Sequence, residues 1–561
     1  MRLQPVPGVR LSPSPLVDAF LHDWTKVSAL YPYDWSQQGS YQARADFLLG
    51  GGYRGDRKAV SAALTRYSEE LGADELALQN AAKLAEPDTL AIVTGQQAGL
   101  FTGPAYAVYK ALTAVHLAKE QSERLGKPVV PVFWMAGEDH DWAEHAGVLV
   151  PTAAGTQRLQ FHDSFEGDRR SVGLAPVPAS GRALIDELSA LLPDTEFKVE
   201  VLGKLLDALE APPALEPAAT GGQPSLVDWA GRTMAWLTAG TGLVFLNSAD
   251  PALRRIEAPF LRQAIDSFGA VDAALAQGFE RMQSLGFSPT VERQAGNLNL
   301  FIYVDGERLP LVGDGEHFWV RSREELRWTK AQLIALTEGA PERFSTNVVL
   351  RPVIQGFLLP DLAYVGGPGE ISYFALYKEV FTTLQSQMPV VYPRRSLTLV
   401  EPPIARILEK QDLTLTDVLY HLDERRQEFL EREDRLGITE RFTTFRTGLE
   451  SQYAELLSSI LELDPTMRQF AEENRKHLFF QIQKLEEKTR QQHRKNCEVA
   501  LRQFDRLKGS LTPQGLQERA VSFVPYLAKY GPNLAREILP LLATLGPTEH
   551  GALFLGLDEH A

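Results

Sequence analysis

One cysteine, Cys497, in 561 residues excludes an internal disulfide and any multi-cysteine metal cluster. It lies in a charged, helical stretch and reads as a bystander thiol. So little cysteine suits a reducing compartment, and a cytoplasmic protein is expected. Basic residues are outnumbered, with 57 Lys+Arg against 72 Asp+Glu and a net charge of −15. That balance excludes a general nucleic-acid binder, though not a local basic pocket. No stretch approaches the roughly 18 uninterrupted apolar residues of a membrane span, so no membrane partner is expected. The start, MRLQPVPGVRLSPSPLVDAF, lacks the basic region and apolar run of a signal peptide. Also missing are GxGxxG, the P-loop, HExxH and any repeat with a period of 20–50 residues.

What is present is ordinary globular material, 44% hydrophobic and 23% charged, in a chain long enough for about two to four folding units. The central stretch is Thr89 to Glu120. Leu90 to Val93 is a short apolar run of the kind buried in a parallel sheet. Gly95, Gly99 and Gly103 then punctuate a loop that also carries Gln96, Gln97 and Thr102. Pro104 stands where a helix tolerates a missing N–H, and Tyr106 and Lys110 follow on the helix face opposite Val108, Leu112 and Val115. Such a loop suits an anion such as phosphate or carboxylate, and equally serves as a plain strand-to-helix turn. Val129 to Met135 is a second buried strand and completes a β–α–β unit, whose strands are therefore expected to be parallel.

Directly after that strand comes Glu138-Asp139-His140-Asp141. Carboxylates hold amines and histidine moves protons near neutral pH, so Asp139, His140 and Asp141 are candidates for general acid–base work or for gripping an ammonium group. A metal site of His140, Asp141 and His145 is the alternative, but two histidines five residues apart do not share a helix face. Gly366, Gly367, Gly369 and Glu370 form a second glycine loop before a helix, and a second candidate anion or ribose cradle. Arg394, Arg395 and Ser396 end the strand Met388 to Tyr392, where paired guanidinium groups suit phosphate or carboxylate. Arg351 follows an apolar run and needs an anionic partner, either Glu370 or a substrate carboxylate. Each group also has a plainer reading, as a capped turn or a solvated basic turn. Ligands of open parallel sheets sit beyond the carboxyl ends of the strands, so these loops are expected to share one cleft.

The layout follows from these runs. Residues 1–88 should be helical and pack on the core. The core should comprise 89–148, 241–288 and 347–400, with strands at Gly242–Asn247, Asn347–Val353 and Leu358–Val365. Insertions are expected at 149–240, with a hairpin of Thr156–Phe161 and Arg170–Val177, and at 289–346, with a strand–turn–strand from Phe301 to Val312 and a helix over Glu324–Leu336. Residues 401–510 should form long charged helices. There Phe442, Phe445, Leu449, Tyr453, Leu456 and Ile460 are spaced like a coiled-coil seam. The tail, 511–561, should dock on the body.

TGQQAGLFTGPAYAVYKA (94–111), VFWMAGEDHDWAEH (132–145), VLRPVIQGFLLPDLAYVGGPGEISYF (349–374) and MPVVYPRRS (388–396) resemble the bacillithiol biosynthesis cysteine-adding enzyme family, the cysteine ligases. YPYDW (31–35), LNSADPALRR (246–255) and LQERA (516–520) extend the resemblance nearly end to end. It implies an α/β fold: a Rossmann-like parallel-sheet core similar to class I aminoacyl-tRNA synthetases, two inserted connective-peptide domains, and a C-terminal α-helical coiled coil that makes a homodimer. It also implies a carbon–nitrogen ligase that adds cysteine to glucosaminyl-malate in the last step of bacillithiol synthesis. ATP or ADP would be the cofactor; any Mg2+ would come with the nucleotide, and no metal is assigned to the protein. An adenylate route would use Gly99–Gly103 and Gly366–Gly369 for phosphates, Asp139 or Asp141 for an ammonium group, and Arg394 with Arg395 for pyrophosphate. The HIGH and KMSKS motifs of the synthetases are absent, which leaves the adenylate route open. The other readings are a non-catalytic nucleotide-binding coiled-coil scaffold and a metal-dependent hydrolase.

Overall fold

A computed structural model describes residues 1–152, 155–163, 168–215 and 220–556. The chain divides into two compact units: Met1–Pro402 together with the chain from Leu516 onward, and Pro403–Gly515.

The first unit is built on a five-stranded parallel sheet. Its strands are β1 (Leu90–Gln96), β2 (Val129–Met135), β3 (Val244–Asn247), β6 (Asp361–Gly366) and β7 (Val390–Pro393), where β4 and β5 are Asn297–Val304 and Glu307–Gly313 of an inserted sheet. The spatial order is β7-β6-β1-β2-β3, every neighbouring pair parallel. Parallel sheets are covered on both faces, which is why these strands read as unbroken apolar runs. Leu90, Ala91, Ile92 and Val93 are all fully buried, and each large side chain among them stabilises the fold by roughly 1.5–3 kcal/mol. Helix α1 (Tyr106–Leu125) crosses from β1 to β2 and ends at Gly126 in the left-handed conformation, φ 62°. The chain winds outward from β1 through β2 to β3, then returns to the other side of β1 for β6 and β7. The crevice at the carboxyl ends of β1 and β6 is therefore the topological switch point of the sheet.

Four helices, Pro15–His22, Gln38–Phe47, Arg57–Glu70 and Glu75–Lys83, precede the sheet. Arg44 of the second makes a fully buried ion pair with Asp361 of β6, 2.6 Å, and donates to its carbonyl at 3.1 Å. Between β2 and β3 lie an antiparallel pair, Gly147–Thr152 with Gly155–Gln160, and helices Gly181–Leu191, Lys198–Glu210 and Leu226–Leu237. The expected hairpin partner Arg170–Val177 is not a strand. The nearer segment Gly147–Thr152 takes the pairing instead. Part of that region, 164–167, lies outside the described residues. Between β3 and β6 a five-stranded antiparallel sheet contains β4 and β5 as a hairpin. Two expectations change here. Glu324–Leu336 is not one helix: Arg323–Thr329 is a strand, and the helix Lys330–Gly339 starts only at the Thr329–Gln332 capping box. Asn347–Val353 is not a strand but leads into helix α2 (Arg351–Leu358). Pro352 lacks the N–H a strand needs but is tolerated in a helix's first turn.

After the core, β8 (Ser396–Val400) pairs in parallel with β9 (His550–Phe554), and β9 in turn pairs antiparallel with Arg2–Val6. The second unit holds the long helices Ile438–Leu463 and Arg468–Asn496, joined by a turn at Pro465–Met467. They run antiparallel: Tyr453 donates to the Ala471 carbonyl at 2.6 Å, and Arg446 meets Glu486 at 3.2 Å. Of the six expected seam residues, Phe442, Leu449, Tyr453 and Ile460 are half-buried, while Phe445 and Leu456 are each 58% exposed. Among the described residues no helix is long and apolar enough to cross a membrane.

Candidate active site

A cavity of about 780 Å³ opens at the switch point. Gly95, Gln96 and Gln97 line it from the end of β1, Tyr106 and Lys110 from α1, and Asp139 from the loop after β2. Gly367 reaches it from the turn after β6, Gly369 and Glu370 from the first turn of the helix Pro368–Phe374, and Arg394 from the end of β7. The inserted sheet contributes Phe301 and Arg308, the turn and start of α2 contribute Asn347 and Arg351, and Arg519 enters from the returning tail. Gly95 permits the close passage of β1 and β2, since a Cβ there would lie 2.8 Å from the Trp134 carbonyl.

Lys110 is buried. Its ammonium group donates to the Gly95 carbonyl at 2.8 Å and to Gln96 Oε1 at 3.1 Å, and pairs with Glu370 at 2.5 Å. Burial lowers its pKa, an effect that Glu370 opposes. Glu370 also accepts the Tyr364 hydroxyl and the Gly367 N–H. Tyr106 accepts from Gln96 Nε2 at 2.9 Å, and burial raises its phenol to about 12. Arg394 lies 5.3 Å from the Tyr106 ring and is paired with Glu518 at 2.7 Å, so its charge is balanced within the protein.

Asp139 accepts from the His140 N–H at 2.7 Å, the Asp141 N–H at 3.2 Å and the Gln97 amide. Desolvation alone would raise its pKa. The Gln97 amide, His145, the Asp141 N–H and Arg308 outweigh it and bring the carboxyl down to about 2. Asp139 is thus a fixed anion, suited to holding a cation and poorly suited to accepting a proton. His140 stands one contact back from the cavity, its Nδ1 3.3 Å from Arg308 Nη1. Burial, then Arg308, lowers its pKa, so the ring is neutral near pH 7. Asp141 is exposed and does not line the cavity. Glu138 points away into a buried cluster with Arg254 and Glu257.

The glycine loops do not offer the phosphate cradles that the sequence suggests. Gly99, Thr102 and Gly103 are not among the lining residues. They fold back on themselves, with a Cβ at Gly99 meeting the Gly103 Cα at 3.0 Å, while Phe101 packs 5.5 Å from Trp229. The Ala105 N–H before α1 already donates to the Val521 carbonyl at 2.8 Å. At the second loop the Gly367 N–H is capped by the Glu370 carboxylate at 2.6 Å, so a negative charge sits where a phosphate would. These loops do not fit the phosphates of ATP or ADP. Arg395 and Ser396 also lie outside the cavity lining. The Arg395 N–H donates to Thr113 Oγ1 at 3.2 Å, while Ser396 Oγ donates to Glu518 at 2.7 Å and lies 2.8 Å from His550 Nδ1. His140, Asp141 and His145 are not assembled for a metal: His145 Nδ1 is engaged by the Ala98 carbonyl, and no metal-competent cluster occurs among the described residues.

Sequence reasoning missed Arg308, Arg519 and Glu518. Arg308 left one faint signal, a lone cation among apolar residues on a strand, with Leu309 and Leu311 beside it. Glu518 and Arg519 stand in LQERA, quoted for its resemblance but given no role.

A parallel doubly wound sheet with a charged cavity at its switch point, insertions after its strands and a helical-hairpin unit defines a Rossmann-type protein with an appended coiled coil. The family described as "Bacillithiol biosynthesis BshC, N-terminal Rossmann-like domain" matches residues 1–395, and its "C-terminal coiled-coil domain" matches 397–554. The chain belongs to this BshC family. A relative from Symbiobacterium thermophilum, named "Putative cysteine ligase BshC", is 58% identical over 99% of this chain and 100% of its own length. Relatives of the same name from Desulforamulus reducens and Heliobacterium modesticaldum are 35% and 32% identical, over 97% and 94% of this chain and 98% and 95% of theirs.

Proposed function

We propose that the protein joins the carboxyl group of cysteine to the amine of glucosaminyl-malate, completing bacillithiol, with nucleotide-dependent activation of that carboxyl group. The observation that carries this reading is one cavity at the switch point with a fixed anion, Asp139, and two guanidinium groups, Arg308 and Arg351, that pair with no carboxylate among the described residues. An amine substrate bearing carboxylates needs both signs of charge. Asp139 holds an ammonium group, which gives up one proton to solvent before it attacks; His140, kept neutral and standing one contact behind the cavity, takes the second through water as the amide forms. Hydroxyl and amide groups of Tyr106, Gln96 and Gln97 supply neutral contacts for a sugar. ATP would supply the leaving group that a free carboxylate lacks; the glycine loops are not its seat. The helical unit leaves apolar side chains exposed and supports a homodimer through the coiled coil.

The test is to incubate purified protein with cysteine, glucosaminyl-malate and ATP and look for bacillithiol by mass spectrometry. Formation of the thiol product with consumption of ATP is expected. No product with all three substrates present, over a range of pH and Mg2+, sinks the reading.

A further inference from the structure

We propose that Arg308 and Arg351 form a paired-guanidinium seat for the dicarboxylate arm of the amine substrate. The proposal rests on the ligase reading for the identity of that substrate. The carboxylates that line or brace the cavity are already engaged. Glu370 is held by Lys110, Tyr364 and the Gly367 N–H, Glu518 by Arg394, and Asp139 by Gln97 and two backbone N–H groups. On the cationic side Arg308 is 4% exposed, yet it bonds only neutral groups: Ser345 Oγ at 2.9 Å, the Thr346 carbonyl at 2.7 Å, and His140. Its plane also lies 3.7 Å from the Phe301 ring centroid. Burial pushes its pKa down to about 10, and Arg351 is near enough to add to that effect.

Arg351, in the first turn of α2, has no ion pair among the described residues, and its Nε is buried without a partner. A buried guanidinium group without an anion is costly, and two facing one cavity repel each other. Once the Lys110–Glu370 and Arg394–Glu518 pairs are set aside, three guanidinium groups remain against Asp139, counting Arg519, which donates to the Leu11 carbonyl at 2.6 Å. That excess matches a dianion.

Planar forks bind carboxylate and phosphate alike. The choice here falls on carboxylate because phosphate sites draw on free backbone N–H groups, and the Ala105 and Gly367 N–H groups of the two glycine loops are taken. The malate arm also keeps both carboxylates through the reaction, so its seat need not change charge.

The experiment is calorimetric titration of the full-length protein with L-malate, with glucosamine as the carboxylate-free probe and inorganic pyrophosphate as the phosphate probe. Wild type should bind malate, and R308Q and R351Q should each weaken it by about 10-fold or more. Glucosamine binding should stay unchanged, which reports an intact cavity. R308K and R351K should restore part of the malate affinity and keep the wild-type melting temperature. Unchanged malate affinity in both glutamine variants overturns the proposal. So does pyrophosphate that displaces malate and is lost in the same variants, which would make the pair a phosphate seat. If the enzyme makes bacillithiol and R351Q leaves KM for glucosaminyl-malate unmoved, the pair fails while the ligase reading stands. If malate binding depends on both arginines but wild type makes no product, the pair stands and the ligase reading fails.

Discussion

Lys110 and Glu370 meet at 2.5 Å across the switch point and tie α1 to the helix Pro368–Phe374 after β6. Lys110 is 2% exposed and Glu370 17%. Removing one partner of such a pair leaves the other charge buried and unpaired, which costs about 3–5 kcal/mol. Lys110→Met should therefore lower the urea midpoint sharply. Lys110→Met combined with Glu370→Gln should recover part of the loss, because the second change removes the orphaned anion. A double variant as unstable as the sum of the single ones would show that the pair is not coupled.

The core strands were legible in the sequence because buried parallel strands are continuous apolar runs bounded by glycine and proline. The run Leu90–Val93 and the run Val129–Met135 could be little else. Asn347–Val353 was misread because a short apolar run has no period, and the proline that argues against a strand also fits the first turn of a helix. The site was legible only in part. Loops after the strands were found by topology, and the structure does bring Gln96, Gln97, Tyr106, Lys110, Asp139, Arg351, Gly367, Gly369, Glu370 and Arg394 to one cavity. Which charges remain uncommitted was not legible. Arg394 is answered by Glu518, 124 residues away, and the loop before α1 is closed by Val521. Such pairings are set by the returning tail, and no local spacing announces them. Arg308 was hidden for the same reason, since it meets His140 across 168 residues.

His550 of β9 sits between Ser396 Oγ and Thr398 Oγ1, both at 2.8 Å, and burial pushes it down to about 4. The unfolded chain takes up a proton below its ordinary value near 6.5, while the folded chain refuses it until about pH 4. Stability is therefore complete above pH 6.5 and lost as pH falls from there toward 4, by up to ~3 kcal/mol. Urea midpoints at pH 7.5 and 5.0 should differ, and the difference should shrink in His550→Gln. An equal decline in that variant would assign the acid sensitivity to other groups.

Phe445 and Leu456 stand on one stripe of the helix Ile438–Leu463, three turns apart, and Phe480 and Leu485 of the following helix are 50% and 61% exposed. Apolar side chains at this density on a helical hairpin mark a covered face. Light scattering after gel filtration should give a dimer for wild type and a monomer for Phe445→Glu with Leu456→Glu, with helix content kept by circular dichroism. A wild-type monomer at tens of micromolar would rule the dimer out.

Asp139 offers the clearest separation of stability from chemistry. Its carboxyl is held near 2 against an ordinary 3.8, so the fold gains from its ionised form above pH 4 and loses that gain as pH falls through 2. A shift of this size is worth about 2 kcal/mol. Asp139→Asn should keep the Gln97 contact while losing the charge. Its stability deficit should be full at pH 6 and should narrow between about pH 4 and pH 2, where the unfolded wild-type chain takes up a proton that the folded one still refuses. If Asp139 grips the ammonium group of a substrate, the same variant should raise KM for the amine at neutral pH by 10-fold or more. Its kcat at saturating amine should fall less, because the proton is taken by His140 and not by Asp139. A variant that loses kcat at unchanged KM would move Asp139 from holding the substrate to acting in the bond-forming step.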